Sequence, residues 1–315
     1  MRESAEPASA DDGPIGFIGL GRMGFALASS LVRNGRALSV YDLNEARVEE
    51  MTWALVRRER HVGDVAAACG VVFLMLPGPK EVLSVALEPG GVFDRARPGT
   101  VVIDMSTVDP ATCDTLAAEA VKRGLAYADA PVGRLAAHAD KGQSLFMVGA
   151  EDDVFARIRP LLEDMGTTIF HCGRPGNGTR TKLVNNFLVL SYCQLNSEAL
   201  TLATAMGLDV RKTLDVVLET TASNGQLREK WPVKVLRGDT TPGFDIALGL
   251  KDLTLACRAA EDAGVSVALG RAARDIFRLA LDAGYAGQDT SALTDYWAKA
   301  NKRPPIRLAE TLPTN

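Results

Sequence analysis

The sequence predicts an α/β protein with a Rossmann-type doubly wound parallel sheet, followed by an all-α domain. From residue 15 to residue 171, short apolar β-branched runs alternate with helical segments, as consecutive β-α units require. From residue 179 onwards, almost every segment has helical spacing, with Gly and Pro between segments. The loop Gly173–Gly178 separates the two patterns. We therefore expect a first domain at residues 14–175 and a second at residues 176–302.

The individual elements follow from runs of apolar residues and their flanking turn residues. We predict strands at Ile15–Leu20, Ala37–Tyr41, Val71–Leu76, Val101–Met105, Leu125–Asp129, Ser144–Gly149 and Thr168–His171. We predict helices at Phe25–Val32, Glu45–Trp53, after Asp109-Pro110, Asp153–Met165, Thr179–Met206, Arg211–Glu219, Gln226–Leu236, Leu248–Ala263 and Leu269–Ala283. Residues 1–13 are polar and acidic, and the tail after Lys302 carries prolines, so both ends are expected to be loosely ordered.

The composition excludes several classes of protein. The chain has 315 residues, 47% of them hydrophobic, and a formal net charge of -4, which argues against a nucleic-acid or anionic-membrane partner. No apolar run is long enough to span a bilayer. The five cysteines form no CxxC pair, which indicates buried, reduced thiols in a cytoplasmic protein. The three histidines lack ligand spacing, so no metal is expected.

A glycine-rich turn follows the first predicted strand. Gly19-Leu20-Gly21-Arg22-Met23-Gly24 has the G-x-G-x-x-G spacing, and it stands between a strand and a helix. The first glycine makes the turn, the second admits a pyrophosphate to the backbone, and the third lets the helix pack on the strand. Glycines at such turns can be purely structural, but this context favours dinucleotide binding.

Asp42 ends the second predicted strand, 23 residues after Gly19. An acidic residue at that distance accepts hydrogen bonds from the adenosine ribose, and its charge repels a 2′-phosphate. The sequence therefore predicts NAD rather than NADP. The alternative role for Asp42 is capping of the following helix, a role that Asn44 could fill instead.

The stretch Gly176–Asn186 carries the candidate catalytic residues. Lys182 and Asn186 are four residues apart, so they share one helix face, and Asn185 lies beside them. The residues that follow are apolar nearly all round, which predicts a buried helix. Desolvation lowers the pKa of a lysine toward neutrality, so Lys182 is a candidate acid–base group. The alternative is a lysine on a solvated helix start.

Five blocks together resemble the β-hydroxyacid dehydrogenase family, which includes the 3-hydroxyisobutyrate dehydrogenases. The resemblance covers about Ile15 to Tyr296. Its blocks are GFIGLGRMG, LMLPGP (Leu74–Pro79), DMSTVDP (Asp104–Pro110), GNGTRTKLVNN and Lys251-Asp252-Leu253.

The resemblance implies an NAD-dependent dehydrogenase or reductase that interconverts a small anionic 3-hydroxy acid and its semialdehyde. It implies an active site between the two domains, and homodimers or homotetramers joined mainly through the helical domains. Lys182 would carry the proton and Asn186 would hold the lysine. Cofactor binding is implied for Gly19, Gly21, Arg22, Met23, Gly24, Asp42, Leu76, Pro77, Glu81, Thr107 and Lys251. Substrate binding is implied for Gly133, Arg134, Leu135, Asn185, Phe244 and Lys251.

One block departs from the family pattern. The family usually has Ser-Gly-Gly after Asp-Ala-Pro-Val, whereas this chain has Gly133-Arg134-Leu135. The sulfolactaldehyde reductases resemble this chain because they also have Gly-Arg at this point, and their arginine binds a sulfonate. Against that subgroup, this chain has Val189 where the subgroup tends to have a serine. We predict that Arg134 pairs with the acid group of the substrate and that Gly133 leaves room for a larger head group. The alternative for Arg134 is a surface or inter-subunit salt bridge.

Three other readings of the chain are weaker. The decarboxylating 6-phosphogluconate dehydrogenases have a histidine where this chain has Asn185, and a longer helical domain. The imine reductases of the same fold lack the lysine. A catalytically silent NAD-binding sensor or scaffold would have no need of the Lys182–Asn186 pair.

Overall fold

The computed structural model describes residues 13–308. The expectations for residues 1–12, and for the end of the tail, lie outside the described residues. The described chain divides into two compact units, one up to Lys182 and one from Leu183. The division lies inside a helix that begins just after the predicted boundary.

The first unit contains a sheet of six parallel strands. Their order across the sheet is β3-β2-β1-β4-β5-β6, which confirms the predicted doubly wound topology. The strands are β1 (Ile15–Ile18), β2 (Leu38–Tyr41), β3 (Val56–Arg58), β4 (Val71–Leu74), β5 (Val101–Asp104) and β6 (Ala126–Asp129). The sequence did not predict β3, whose side chains are half-buried or exposed and therefore give no apolar run.

Both faces of this sheet are covered. Neighbouring residues of one strand enter different cores: Phe17 packs in one and Ile18 in the other, and both are buried. This explains why the strands are continuously apolar rather than alternating. The helices of the first unit are α1 (Arg22–Arg33), α2 (Glu45–Glu49), α3 (Val62–Ala68), α4 (Pro79–Leu87), α5 (Val92–Arg95), α6 (Pro110–Lys122), α7 (Ala136–Ala139) and α8 (Asp152–Glu163). The predicted continuation of α2 to Trp53 is wrong, because the chain turns at Met51 to enter β3.

A second sheet holds the strands that we expected to continue the first one. It consists of β7 (Val132–Gly133), β8 (Ser144–Val148) and β9 (Gly166–His171), with β7 antiparallel to β8 and β8 parallel to β9. Only an isolated bridge, Asp129 with Gly149, links the end of β6 to this segment. The expectation of one continuous sheet was wrong because the chain folds back through β7 and pairs antiparallel with β8.

The helix α9 (Asn177–Ala205) is the longest described element and agrees with its prediction. The second unit continues with α10 (Val210–Leu218), α11 (Ile246–Asp262), α12 (Ala268–Ala280) and α13 (Leu293–Ala300). Its core surrounds the fully buried Trp231 and Phe277. Among the helices within residues 13–308, none has the length and apolar character needed to cross a membrane.

Two expectations for the second unit were wrong. Residues 226–236 do not form one helix but a π-helical turn and two short 3₁₀ turns, because Pro232 cannot donate a helical hydrogen bond. The tail after Lys302 is packed as far as it is described. Ile306 and Leu308 are buried, and the N–H of Leu308 donates to the carbonyl of Leu236 at 2.9 Å.

One side of α9 is not covered by residues 13–308, although we expected the helix to be buried all round. We call this side the α9 face; its large exposed side chains are Val184, Leu188, Tyr192, Leu195, Leu202 and Met206. They are spaced three, four or seven residues apart, which places them on one side of the helix, whereas residues such as Leu190 and Leu200 between them are buried.

Candidate functional site

The turn between β1 and α1 has the geometry that a bound dinucleotide requires. Gly19 has φ +96°, and a side chain there would collide with the carbonyl of Met75. A side chain on Gly24 would collide with the carbonyl of Gly19, so the helix packs closely on the strand. Apart from its own chain neighbours, a Cβ on Gly21 would have no atom of residues 13–308 within 4 Å, and the N-cap residue of α1 is Gly21 itself, which has no side chain to cap the helix. The turn thus leaves an open approach to a helix N-terminus, which fits a pyrophosphate.

Arg22 and Met23 lie in the first turn of α1, with Arg22 exposed and Met23 half-buried. The guanidinium of Arg22 forms two hydrogen bonds with the carboxylate of Asp140, one of them at 2.9 Å. Asp140 therefore holds the side chain that follows the second glycine of the turn.

Asp42 lies at the end of β2, beside the same turn. Its Oδ2 accepts the N–H of Leu20 at 2.5 Å, and its Oδ1 accepts the N–H of Asn44 at 2.8 Å. The cap of α2 is Asn44, whose side chain accepts the N–H of Ala46 at 3.2 Å. The capping alternative for Asp42 is therefore wrong, and its contact with a ribose stays a prediction.

The loops after β4 and β5 reach the same edge of the sheet. The N–H of Leu76 donates to the hydroxyl of Ser106 at 2.9 Å, and the N–H of Ser106 donates to buried Asp104 at 2.9 Å. Sequence reasoning missed Ser106, whose only signal was its place directly after a buried strand. The other predicted cofactor residues of these loops are Pro77 and Glu81, which are exposed, and Thr107, which is half-buried.

Lys182 is half-buried in the second turn of α9. Its ammonium Nζ donates to the carbonyl oxygen of Val132 at 2.6 Å, and Val132 begins β7. This hydrogen bond fixes the end of a flexible four-carbon side chain next to the segment predicted to hold the substrate. A lysine fixed in this way can give a proton to, or take one from, a bound oxygen atom.

Four polar residues of the second unit meet around Asn186. Its side-chain N–H donates to buried Asp252 at 2.7 Å, and its Oδ1 accepts from the amide of Asn185 at 3.1 Å. The ammonium of Lys251 lies 3.0 Å from the other oxygen of Asp252. The structure thus brings three predicted residues together. Sequence reasoning missed Asp252, for which the signal was an acid in an apolar stretch of helix.

The block from Gly133 to Leu135 agrees less well with its predicted role. A Cβ on Gly133 would lie 3.0 Å from the side chain of Leu145 and 3.4 Å from that of Met147; that this glycine leaves room for a larger head group stays a prediction. Leu135 is half-buried and precedes α7. Whether this block contacts the substrate stays a prediction.

Arg134 adopts φ 67°, a backbone conformation that glycine takes far more readily. Where the family usually has glycine, this chain therefore has an arginine in a left-handed conformation. Its guanidinium donates to the carbonyl of Gln143 at 2.7 Å and to the hydroxyls of Thr167 and Thr168 at 3.1 and 3.2 Å. These three hydrogen bonds hold the side chain to its own unit.

Phe244, the remaining predicted substrate residue, is half-buried and its backbone is fixed by Asp289 and Thr290. The N–H of Phe244 donates to Oδ2 of Asp289 at 3.3 Å, and its carbonyl accepts the N–H of Thr290 at 2.9 Å. The ammonium of Lys230 lies 2.9 Å from Oδ1 of the same aspartate. Burial would raise the pKa of Asp289, but Lys230 and the donors of Ser291 hold this pKa below its ordinary value.

The glycine turn, the acid after β2 and the fixed lysine together define a class, the dinucleotide-dependent oxidoreductases. The profile of the NAD-binding domain of 6-phosphogluconate dehydrogenase matches residues 14–173. The profile described as the NAD-binding domain of NADP-dependent 3-hydroxyisobutyrate dehydrogenase matches residues 176–297. The chain belongs to the β-hydroxyacid dehydrogenase family, as its sequence blocks predicted.

Curated relatives and solved structures agree with this assignment. The 3-sulfolactaldehyde reductase of Escherichia coli (strain K12) is 35% identical over 281 residues, which are 89% of this chain and 94% of its own. An NAD-dependent L-serine dehydrogenase of Pseudomonas aeruginosa is 35% identical over 285 residues, 89% and 96% of the two chains. A structure of Mycobacterium tuberculosis 3-hydroxyisobutyrate dehydrogenase with L-serine has a TM-score of 0.84 at 31% identity, covering 90% and 99%. The protein is an NAD-dependent oxidoreductase that acts on the CH–OH group of a small hydroxy acid.

Proposed function

We propose that the protein interconverts a small 3-hydroxy acid and its semialdehyde, with Lys182 as the acid–base group. The observation that carries the proposal is the hydrogen bond of Lys182 to Val132, which fixes the ammonium at a defined point of the first unit. The nicotinamide cofactor, when bound, accepts or supplies the hydride. What remains for the protein is to bind, to orient and to move one proton.

In the oxidation direction, the neutral amine form of Lys182 accepts the proton of the substrate hydroxyl, directly or through water, and becomes the ammonium. In the reduction direction, it donates a proton to the aldehyde oxygen. Asn186 orients the lysine from the next turn of the helix, and Asp252 orients Asn186 by accepting its amide N–H at 2.7 Å. Asn185 and residues 133–135 contact the acid group, with Phe244 and Lys251 completing the substrate side.

The cofactor roles follow from the geometry of the glycine turn. Gly19 lets the backbone make the turn, Gly24 lets α1 pack closely on the strand, and the open side of Gly21 receives the pyrophosphate. Asp42 accepts from the adenosine ribose. Residues 76–77 and 81, together with Thr107, line the nicotinamide half of the cofactor site. Lys251 is a further cofactor-binding residue in this proposal.

The substrate is tested with a panel of small acids that differ in their head groups. The purified protein would be assayed with NAD+ and 3-hydroxyisobutyrate or L-serine, and with NADH and sulfolactaldehyde. We expect turnover of at least one member, with loss of turnover in Lys182→Met. If NADH binds but no member is converted, a silent NAD-binding protein is the better account.

We also propose a cytoplasmic homodimer or homotetramer joined through the α9 face. Five large apolar side chains of α9, together with Met206 directly after it, are exposed on one side, and a contiguous exposed apolar patch marks an interaction site. Free thiols such as buried Cys113 suit the cytoplasm. Leu202→Glu should lower the molar mass measured by light scattering, because it sets a charge in that face. Val121→Glu, on an exposed apolar residue of α6, is the matched control. A wild-type protein that is monomeric at micromolar concentration would contradict the proposal.

A further inference from the structure

Asp129, at the end of β6, is fully buried and binds the beginning of α9. Its Oδ1 accepts the N–H of Gly176 at 2.5 Å, and its Oδ2 accepts the N–H of Thr179 at 2.5 Å. These donors are 47 and 50 residues away in the sequence. The contact is therefore long-range, and sequence reasoning did not find it.

The backbone around this carboxylate is shaped to admit it. A side chain on Gly149 would collide with Oδ1 of Asp129, and a side chain on Gly178 would crowd Oδ2 and collide with the carbonyl of Met147. The two glycines thus let two backbone segments close on the carboxylate. Burial raises the pKa of Asp129, while the N–H groups of Thr179 and Gly176 act in the opposite direction.

The start of α9 and the segment that follows Asp129 are joined a second time at Lys182. Lys182 lies three residues after Thr179, and Val132 lies three residues after Asp129. The ammonium of Lys182 donates to the carbonyl of Val132 at 2.6 Å. Asp129 thus fixes the start of α9 against the segment that leads to Val132, and the carbonyl of Val132 binds the lysine.

Other helices of the protein are capped locally. Asp109, Asp209 and Asp245 each accept an N–H three residues further along their own helix. In α9 the carboxylate comes instead from a distant strand, so it sets the position of the helix relative to that strand as well as capping it.

We propose that Asp129 is the positioning residue for Lys182, which it acts on through the first turn of α9 and the segment from β6 to β7. The inference rests on the proposed function, because the value of a fixed lysine lies in proton transfer. Asp129 touches neither the substrate nor the cofactor in this account. Its loss should lower turnover without altering dinucleotide binding.

The test is Asp129→Asn, which keeps the shape of the side chain but replaces one acceptor by an NH₂ group that cannot accept an N–H. We expect kcat to fall by about 10²-fold, as for a reacting group displaced by about 1 Å, with the Kd for NADH within twofold of wild type. The acylation rate of Lys182, measured by mass spectrometry with exposed Lys122 as the internal reference, should rise several-fold. Asp209→Asn, which weakens a local cap in the second unit, is the matched control and should change none of these.

Thr179→Val is a milder second variant that serves if Asp129→Asn does not fold. The hydroxyl of Thr179 bonds to Asp129 and accepts the thiol of Cys113 at 3.1 Å, and its loss should lower kcat roughly 2- to 10-fold. The inference is overturned if the variant that folds has the kcat of the wild type. It is also overturned if the affinity of that variant for NADH falls by the same factor as its kcat. It is equally overturned if the acylation rate of Lys182 does not change. If Lys182→Met retains turnover, the proposed function fails, whereas the acylation experiment still decides whether Asp129 positions the lysine.

Discussion

Asp129 in the first unit and Asp289 in the second are both fully buried aspartates that accept backbone N–H groups. Asp129 accepts from Gly176 and Thr179. Asp289 accepts from Gly243 and Phe244, and it also forms an ion pair with Lys230. Burial raises the pKa of Asp129, whereas the lysine and the donors around Asp289 outweigh burial and lower its pKa.

The two pKa shifts have opposite signs, so the two aspartates contribute to stability in different pH ranges. The lowered pKa of Asp289 stabilises the folded state above the unfolded pKa, and this contribution is lost as the pH falls through the folded value. The raised pKa of Asp129 has the opposite sign: its contribution is present below the unfolded pKa and is lost as the pH rises through the folded value.

The largest expected effect is on stability at Asp289. Asp289→Asn leaves Lys230, whose side chain is only 11% exposed, without its counter-charge, which should cost about 3–5 kcal/mol of unfolding free energy. Asp129→Asn should cost about 1 kcal/mol, the usual value of a lost cap. Urea denaturation of both variants measures the difference.

The double variant Asp289→Asn with Lys230→Met is the control for that comparison. Because it removes both charges, it should recover most of the lost free energy. Equal losses of unfolding free energy in Asp289→Asn and Asp129→Asn would contradict the distinction between the two aspartates.

Two substitutions decide whether Arg134 is structural or pairs with the acid group of the substrate. Both Arg134→Ala and Arg134→Gly remove the guanidinium, so both should lose roughly 1.5–3 kcal/mol of transition-state binding if it pairs with the acid group. Only glycine relieves the φ of 67°, so it should be the more stable variant by roughly 1–2 kcal/mol. Steady-state kinetics and thermal unfolding measure the two effects separately.

If kcat/KM on carboxylate and sulfonate substrates is unchanged in both variants, Arg134 is structural. Its bonds to Gln143, Thr167 and Thr168 would then be its whole role, and the argument for a sulfonate head group would fail with it.

The smallest of these effects concerns Asp42, which is half-buried and also accepts two backbone N–H groups. Asp42→Asn keeps an acceptor for the N–H of Leu20 but removes the charge that repels a 2′-phosphate. The ratio of kcat/KM for NAD over NADP should therefore fall by about tenfold, the equivalent of about 1.4 kcal/mol. A wild-type enzyme that uses NADP as well as NAD would contradict the role of this charge.

Local patterns predicted five of the six parallel strands and α9 because strand and helix periods are properties of short segments. They failed at residues 226–236, where Pro232 interrupts a helical pattern, and at Ile306 and Leu308, whose burial depends on distant partners. The same limit applies to the site. The stretch around Lys182 was visible in the sequence, but Asp129 acts on it from 50 residues away, and nothing in the spacing pairs them.

The most direct test of the account is the turnover of Lys182→Met, which keeps the apolar stem and removes the ammonium that binds the carbonyl of Val132. We predict that kcat falls by roughly 10² or more, the usual contribution of a positioned acid–base group, while the Kd for NADH stays within twofold. Lys122→Met, on an exposed lysine of α6, should leave both unchanged. Near-normal turnover by Lys182→Met on the best substrate of the panel would show that the lysine is structural and would contradict the mechanism.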